Sequence, residues 1–251
     1  MREGLRAVVE AGLVFLEFPA AWRAALTWPR FSVTSYRLVA RLLAQGVAPR
    51  TVVDVGANVG QFAIAAAKLL PVKRIYCFEP VPETAERLRR ATAGLAVVRV
   101  HAVALGDECG ELDFHLNRHS HSSSALRLTA AHQAAFPEAR EVAVAPVPVR
   151  KLDDVFLGIT LEPPVLLKLD VQGFELRVLR GGTATLQNVD YVVLEASFRQ
   201  LYESEPLFDE VAAHMADLGF RFARPLSWLV APATGEILQM DSLFVRNAVR
   251  A

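Results

Sequence analysis

The stretch Val53-Asp54-Val55-Gly56-Ala57-Asn58-Val59-Gly60 decides how this chain is read. The β-branched residues Thr51-Val52-Val53 lead into it, which is the pattern of a short buried strand. Gln61 to Leu70 follows as an alanine-rich helix that Pro71 ends. A strand, a glycine turn and a helix in that order distinguish a ligand-binding turn from a chance pair of glycines. Gly56 lets the backbone turn tightly and approach a ligand. Asn58 is one of the few non-glycine residues that tolerate a left-handed conformation. Gly60 lets the new helix pack closely, and the helix start offers free N–H groups to an acceptor such as a carboxylate.

Outward from the turn the alternation continues. Arg74 to Phe78 reads as a second strand, Glu83 to Ala93 as a helix closed by Gly94, and Ala96 to Val103 as a third strand. Val165 to Leu169 is an almost unbroken apolar run, as expected of a strand buried on both faces. A helix over Phe174 to Leu186, a strand over Tyr191 to Leu194 and a helix over Leu207 to Leu218 come next. Arg221 to Ala231 and Ile237 to Arg246 flank Pro232-Ala233-Thr234-Gly235 as an antiparallel hairpin. The class is therefore α/β, a doubly wound and mostly parallel sheet with right-handed crossovers. Residues 1–48 read as an N-terminal helical segment, broken at Trp28-Pro29 and resuming at Ser35 to Leu43. Residues 49–251 read as the cofactor-binding domain, with an insertion at about 110–150. Within it Glu111 to Leu116 and Glu141 to Val149 alternate like strands, and His115 to Ser124 is polar.

Hydrophobic residues make up 53% of the 251 and charged residues 22%, a globular composition. The 27 basic and 27 acidic residues cancel, so no overall field draws the chain onto nucleic acid. A small molecule is the expected partner. Cys77 and Cys109 make neither a disulfide framework nor a metal pair, which suits a reducing, cytoplasmic setting. Leu5 to Leu26 is apolar but interrupted by Arg6, Glu10, Glu17 and Arg23. It falls short of the roughly 18 uncharged residues of a membrane span. Packing on the domain is expected of it, ahead of association with a membrane face.

Glu79 stands 25 positions after Asp54, at the end of the second strand and before Pro80. An acidic residue there can hold both hydroxyls of a ribose. An adenosine ligand follows. A dinucleotide requires G-x-G-x-x-G so that the backbone can meet a pyrophosphate. Here Asn58 replaces the second glycine and the third is out of register. S-adenosylmethionine (SAM) has no pyrophosphate, and the turn favours it. An NAD-linked oxidoreductase is the competing enzyme reading. A non-catalytic SAM-fold binding module is the other, and intact Asp54, Gly56, Gly60, Glu79 and Asp170 count against it.

Four segments carry a family likeness: the turn itself, Phe78-Glu79-Pro80, Ala104-Leu105-Gly106-Asp107, and Leu167-Lys168-Leu169-Asp170-Val171-Gln172-Gly173-Phe174-Glu175. With the tail Met240-Asp241-Ser242-Leu243-Phe244-Val245-Arg246, they resemble the FkbM-type SAM-dependent methyltransferases over roughly residues 50–246. The resemblance implies a seven-stranded Rossmann-like sheet with its last strand antiparallel. It also implies O-methylation of a hydroxyl on a sugar, a glycolipid or a polyketide-like acceptor. Asp54, Gly56, Asn58 and Gly60 would line the methionine end, with Ala57 beside them among the cofactor-binding residues. Glu79 would hold the ribose, and Ala104 and Leu105 would lie near the adenine.

Methyl transfer to an alcohol needs the oxygen aligned with the methyl carbon and a base or a metal to activate it. Asp170 ends the fourth parallel strand and Glu195 the fifth, and Lys168 points the same way as Asp170. Asp170, Glu195 and Lys168 are therefore the candidate catalytic residues. Either carboxylate would serve as base, or both as ligands to a divalent cation. The structural alternative pairs Lys168 with Glu175 or Glu195. His115, His119 and His121 have no metal-defining spacing. His119, His121 and the serines around Ser123 are secondary candidates for hydrogen bonds to a polyol acceptor. Trp228 and Tyr202 read as core residues ahead of platforms for a sugar ring.

Overall fold

The computed structural model describes residues 12–117, 123–129, 132, 141–231 and 234–247. In chain order its strands are Thr51–Val55 (β1), Arg74–Phe78 (β2), Val98–His101 (β3), Ala104–Leu105 (β4), Gly110–Asn117 (β5), Glu141–Arg150 (β6), Val165–Leu169 (β7), Tyr191–Ser197 (β8), Phe220–Val230 (β9) and Ile237–Arg246 (β10). Its helices are Ala21–Thr27 (α1), Val33–Ala44 (α2), Gln61–Leu69 (α3), Pro82–Thr92 (α4), Leu152–Val155 (α5), Glu175–Arg180 (α6), Thr183–Leu186 (α7) and Phe208–Asp217 (α8). Residues 12–17 are also helical.

Seven strands form one sheet in the order β3-β2-β1-β7-β8-β10-β9. All neighbours are parallel except β10, which runs antiparallel to β8 and β9. This is the doubly wound sheet with a reversed last strand that the sequence implies. β1 and β7 are adjacent, and the chain departs from β1 toward β2 on one side and reaches β7 on the other. Ligands bind at such a switch point, beyond the carboxyl ends of the strands.

Both central strands are buried throughout because helices cover both faces. Val53, Val55, Leu167 and Leu169 pack with Val178, Leu179 and Met215. Val52 and Leu166 face the other way, onto Ala63, Ala66, Leu38 and Leu42. The alternation follows from the two-residue period of a strand.

Two elements and one side chain differ from the sequence reading. The third strand stops at His101, because Ala104 and Leu105 leave the main sheet and pair with Val149 and Arg150. The helix expected over Phe174 to Leu186 is two short ones, split at Gly181-Gly182. A Cβ on Gly181 would lie 1.9 Å from the Gly106 carbonyl oxygen, so two backbone segments touch there. Asp153 then caps the second helix, accepting from the N–H groups of Ala184 and Thr185. Trp228, expected in the core, is 58% exposed, whereas Tyr202 is buried.

The insertion forms its own small sheet, β4-β6-β5, with β5 and β6 antiparallel. At the N-terminus Val14, Ala21, Ala24 and Tyr36 pack together, while Leu16 and Leu26 are exposed. Among the described residues no helix is long and apolar enough to cross a membrane.

Candidate functional site

The chain reverses at the end of β1 through three left-handed residues, with φ of 75° at Gly56, 46° at Asn58 and 92° at Gly60. A Cβ on Gly56 would stand 1.9 Å from the backbone oxygen of Asp170, so the turn rests directly on the end of β7. One on Gly60 would stand 2.6 Å from Leu88, so that glycine seats α3 against α4. Asn58 and Val81 donate their backbone N–H groups to the Glu79 carboxylate at 3.0 and 3.1 Å. Glu79 thus ties the turn to the start of α4. A carboxylate has about four acceptor sites, so two of them remain for other donors.

A cavity of about 360 Å³ opens at this point. Gly56, Asn58 and Glu79 line one part of it, Ala104, Leu105 and Phe174 another, and Asp170 and Gln172 a third. β5 contributes Leu112, Phe114 and Leu116, the side chains of one strand face. The volume falls in the range of small-molecule sites, and apolar walls with a few polar groups are their usual lining. A carboxylate for a ribose at Glu79 and an apolar slot at Ala104, Leu105 and Phe114 fit an adenosine-bearing cofactor.

The sequence candidates divide into two layers. Gly56, Asn58, Glu79, Ala104, Leu105, Asp170 and Ser123 line the cavity. Asp54, Ala57, Gly60, Lys168 and Glu195 lie behind that lining. Ser123 accepts from the Asn117 N–H at 3.0 Å. His119 and His121 lie outside the described residues. His115 is buried in the small sheet, its Nδ1 2.7 Å from the Glu141 carboxylate.

Lys168 pairs with neither Glu175 nor Glu195. Its Nζ lies 3.1 Å from Asp54 Oδ1 and 3.3 Å from Asp170 Oδ2, and donates to the Gly56 carbonyl at 3.2 Å. The strand register explains this, because Asp54 on β1 is the direct partner of Lys168 on β7. Burial works against the lysine's charge, but Asp170 and Asp54 outweigh it and hold the ammonium above its usual pKa. Glu175 instead accepts from the Val171 N–H at 3.0 Å. Burial pushes its pKa up to about 8.

Glu195 lies behind Gln172. Burial, together with Asp170, Asp241, Glu175 and Glu205, pushes its carboxyl well above the ordinary range. Asp170 differs, with 42% of its side chain exposed toward the cavity. The Gln172 amide donates to Asp170 Oδ1 at 2.7 Å and to Glu195 Oε2 at 2.8 Å, and accepts from the Tyr202 hydroxyl at 2.6 Å. Among the described residues no three His, Cys, Asp or Glu side chains come together as a metal-ligating group. Sequence reasoning missed Gln172, Tyr202 and the β5 wall. The alternation of Leu112, Phe114 and Leu116 was a usable signal for the wall; nothing in the spacing announces the contact between Gln172 and Tyr202.

Burial raises Glu79 to about 7, against the two N–H donors that favour its charged form. Ribose hydroxyls would donate to the carboxylate, so binding should weaken as the group protonates. SAM is expected to bind about tenfold more weakly at roughly pH 6 than at roughly pH 8, measured by calorimetry. Glu79→Gln should flatten that dependence; an unchanged slope in the variant would place the titrating group elsewhere.

Comparison with known proteins agrees with this geometry. A family model described as the methyltransferase FkbM domain matches residues 54–222. The 2-O-methyltransferase NoeI of Sinorhizobium fredii is 31% identical over 183 residues, which is 70% of this chain and 74% of NoeI. The hexuronic acid methyltransferase AglP of Haloferax volcanii is 28% identical over 147 residues, 57% of this chain and 54% of AglP.

Proposed function

The chain belongs to the FkbM methyltransferase family of SAM-dependent enzymes, and on that footing we propose that it methylates a hydroxyl oxygen of a sugar or sugar-bearing acceptor, with Asp170 as general base. One observation carries the choice of base. Asp170 stands on the cavity wall with one oxygen held by Lys168 and the other by Gln172. Glu195 stands behind Gln172, outside the cavity lining, so an acceptor in the cavity meets Asp170 first.

Bound SAM supplies an electrophilic methyl group on a sulfonium. Glu79 holds the ribose, and Ala104, Leu105 and Phe114 form the apolar slot for the adenine. Asp170 accepts the hydroxyl proton as the acceptor oxygen takes the methyl group, general-base assistance worth about 10²–10⁴ in rate. Lys168 keeps Asp170 oriented and fastens the Gly56 turn to the end of β7. The name of NoeI, a 2-O-methyltransferase, supports transfer to oxygen, and that of AglP, a hexuronic acid methyltransferase, supports a sugar as the acceptor.

The test uses purified protein, SAM with a tritiated methyl group, and a panel of methyl hexosides, methyl 6-deoxyhexosides and methyl hexuronides. Transfer to at least one of them is expected, alongside SAM binding by calorimetry. Binding without transfer to any sugar, but with transfer to another hydroxyl compound, would overturn the acceptor class. Absence of SAM binding would overturn the reading as a whole. EDTA is expected to leave the rate unchanged, because the Lys168 ammonium stands between Asp54 and Asp170 and would repel a divalent cation.

A further inference from the structure

Gln172 occupies a conformation that disfavours it. Its φ is 57°, in the left-handed region, three residues past the end of β7. Backbone strain of this kind persists where the surroundings over-determine it, and it clusters at functional sites. The surroundings do fix it. The Ser124 hydroxyl donates to the Gln172 carbonyl at 2.7 Å, tying the insertion to this loop. Gly173 follows at φ 94°, where a Cβ would stand 3.0 Å from Leu126 and 3.2 Å from Glu205.

The side chain then uses its whole amide. A primary amide has two N–H donors and one carbonyl acceptor. Both nitrogen contacts go to carboxyl groups, Asp170 and Glu195, and the oxygen receives the Tyr202 hydroxyl. Turned over, the amide would present its oxygen to two carboxyl oxygens and its nitrogen to a hydroxyl placed to donate. Tyr202 is 1% exposed, so solvent does not take its place. Further carboxyl groups surround the pair: Asp241 from β10, Glu175 from α6 and Glu205 from the loop before α8. Asp54 and Lys168 lie on the β1 side, and Arg37 acts on Asp241 from α2. In so acidic a setting, the amide places a neutral double donor, and not a further acceptor, between Asp170 and Glu195.

We propose that Gln172 is a positioning residue for methyl transfer, holding the Asp170 carboxylate in one orientation toward the cavity, and that Tyr202 acts through it by fixing which way its amide faces. The proposal rests on reading Asp170 as the base. With Oδ2 on Lys168 and Oδ1 on Gln172, the plane of the carboxylate is set before an acceptor arrives. Such orientation is a large part of what an enzyme contributes to a transfer reaction.

The experiment compares wild type, Gln172→Glu, Gln172→Leu, Tyr202→Phe and Asp170→Asn, using the panel glycoside that wild type methylates fastest. Gln172→Glu is expected to lower kcat about a hundredfold with SAM affinity kept within about threefold. The acid limb of its kcat profile should move upward, because the variant sets a further carboxyl group against the Asp170–Glu195 pair. Gln172→Leu should move the limb the same way through loss of the N–H donor. Tyr202→Phe should move it less, with kcat down about fivefold to tenfold and KM unchanged. A merely structural role would lower Tm in these variants and leave the acid limb in place. That outcome, with Asp170→Asn inactive, would overturn the positioning role and leave the base intact. An active Asp170→Asn would overturn both. Should the Gln172 variants not fold, Tyr202→Phe decides alone: a wild-type acid limb and kcat would refute the proposal.

Discussion

Asp170→Asn is expected to lower kcat about a thousandfold while SAM binds within a few-fold of wild type. The amide keeps the size of the side chain and removes the one cavity-lining carboxylate placed to take an acceptor proton. The cofactor contacts assigned to Glu79, Ala104 and Leu105 are untouched, so affinity should hold. A modest stability loss of about 1–3 kcal/mol should accompany it. Lys168 and Gln172 both donate to the carboxylate, and an asparagine offers a single oxygen between them. Stopped or steady-state methyl transfer, calorimetry with SAM and a thermal melt separate the three effects. A variant with wild-type kcat would remove Asp170 from the chemistry.

Lys168→Met should have the largest effect on stability. Asp54 is fully buried, and its nearest cation is the Lys168 ammonium at 3.1 Å. Removing one member of a buried pair leaves an uncompensated charge, at a cost of about 3–5 kcal/mol. For a chain of this size that lowers Tm by roughly 6–20 °C. The Gly56 carbonyl also loses its donor, so the cofactor turn should loosen and SAM affinity fall. Adding Asp54→Asn to Lys168→Met should recover much of the stability, since the orphaned charge is then gone. A single variant that melts within about 2 °C of wild type would contradict the pairing.

Much of this architecture is legible in the sequence because its local and long-range preferences agree. Val165 to Leu169 is apolar except for Lys168, a pattern that suits a strand covered on both faces. Asn58 announces left-handed backbone, and the structure has it there as well as at Gly56 and Gly60. The errors arise where a tertiary contact overrides a local pattern. The third strand reads as running to Val103 but stops at His101, and the residues beyond, Ala104 and Leu105, pair with β6 more than forty residues away. The helix over Phe174 to Leu186 breaks at Gly181-Gly182, where the Gly106 backbone lies against Gly181. The structural alternative paired Lys168 with Glu175 or Glu195, whereas register across β1 and β7 selects Asp54. The Gln172–Tyr202 contact joins residues 30 apart in an irregular loop, where no periodicity exists to read.

The central claim is that this cavity directs a methyl group to a sugar hydroxyl oxygen through Asp170. It is tested most directly by incubating the protein with SAM that carries a trideuterated methyl group and a mixture of glycosides, then locating the label by fragment mass spectrometry. The account predicts one labelled methyl ether on a ring hydroxyl with wild type and none above background with Asp170→Asn. A labelled methyl ester on a uronic carboxyl group, which needs no base, or equal labelling by the two proteins would contradict it.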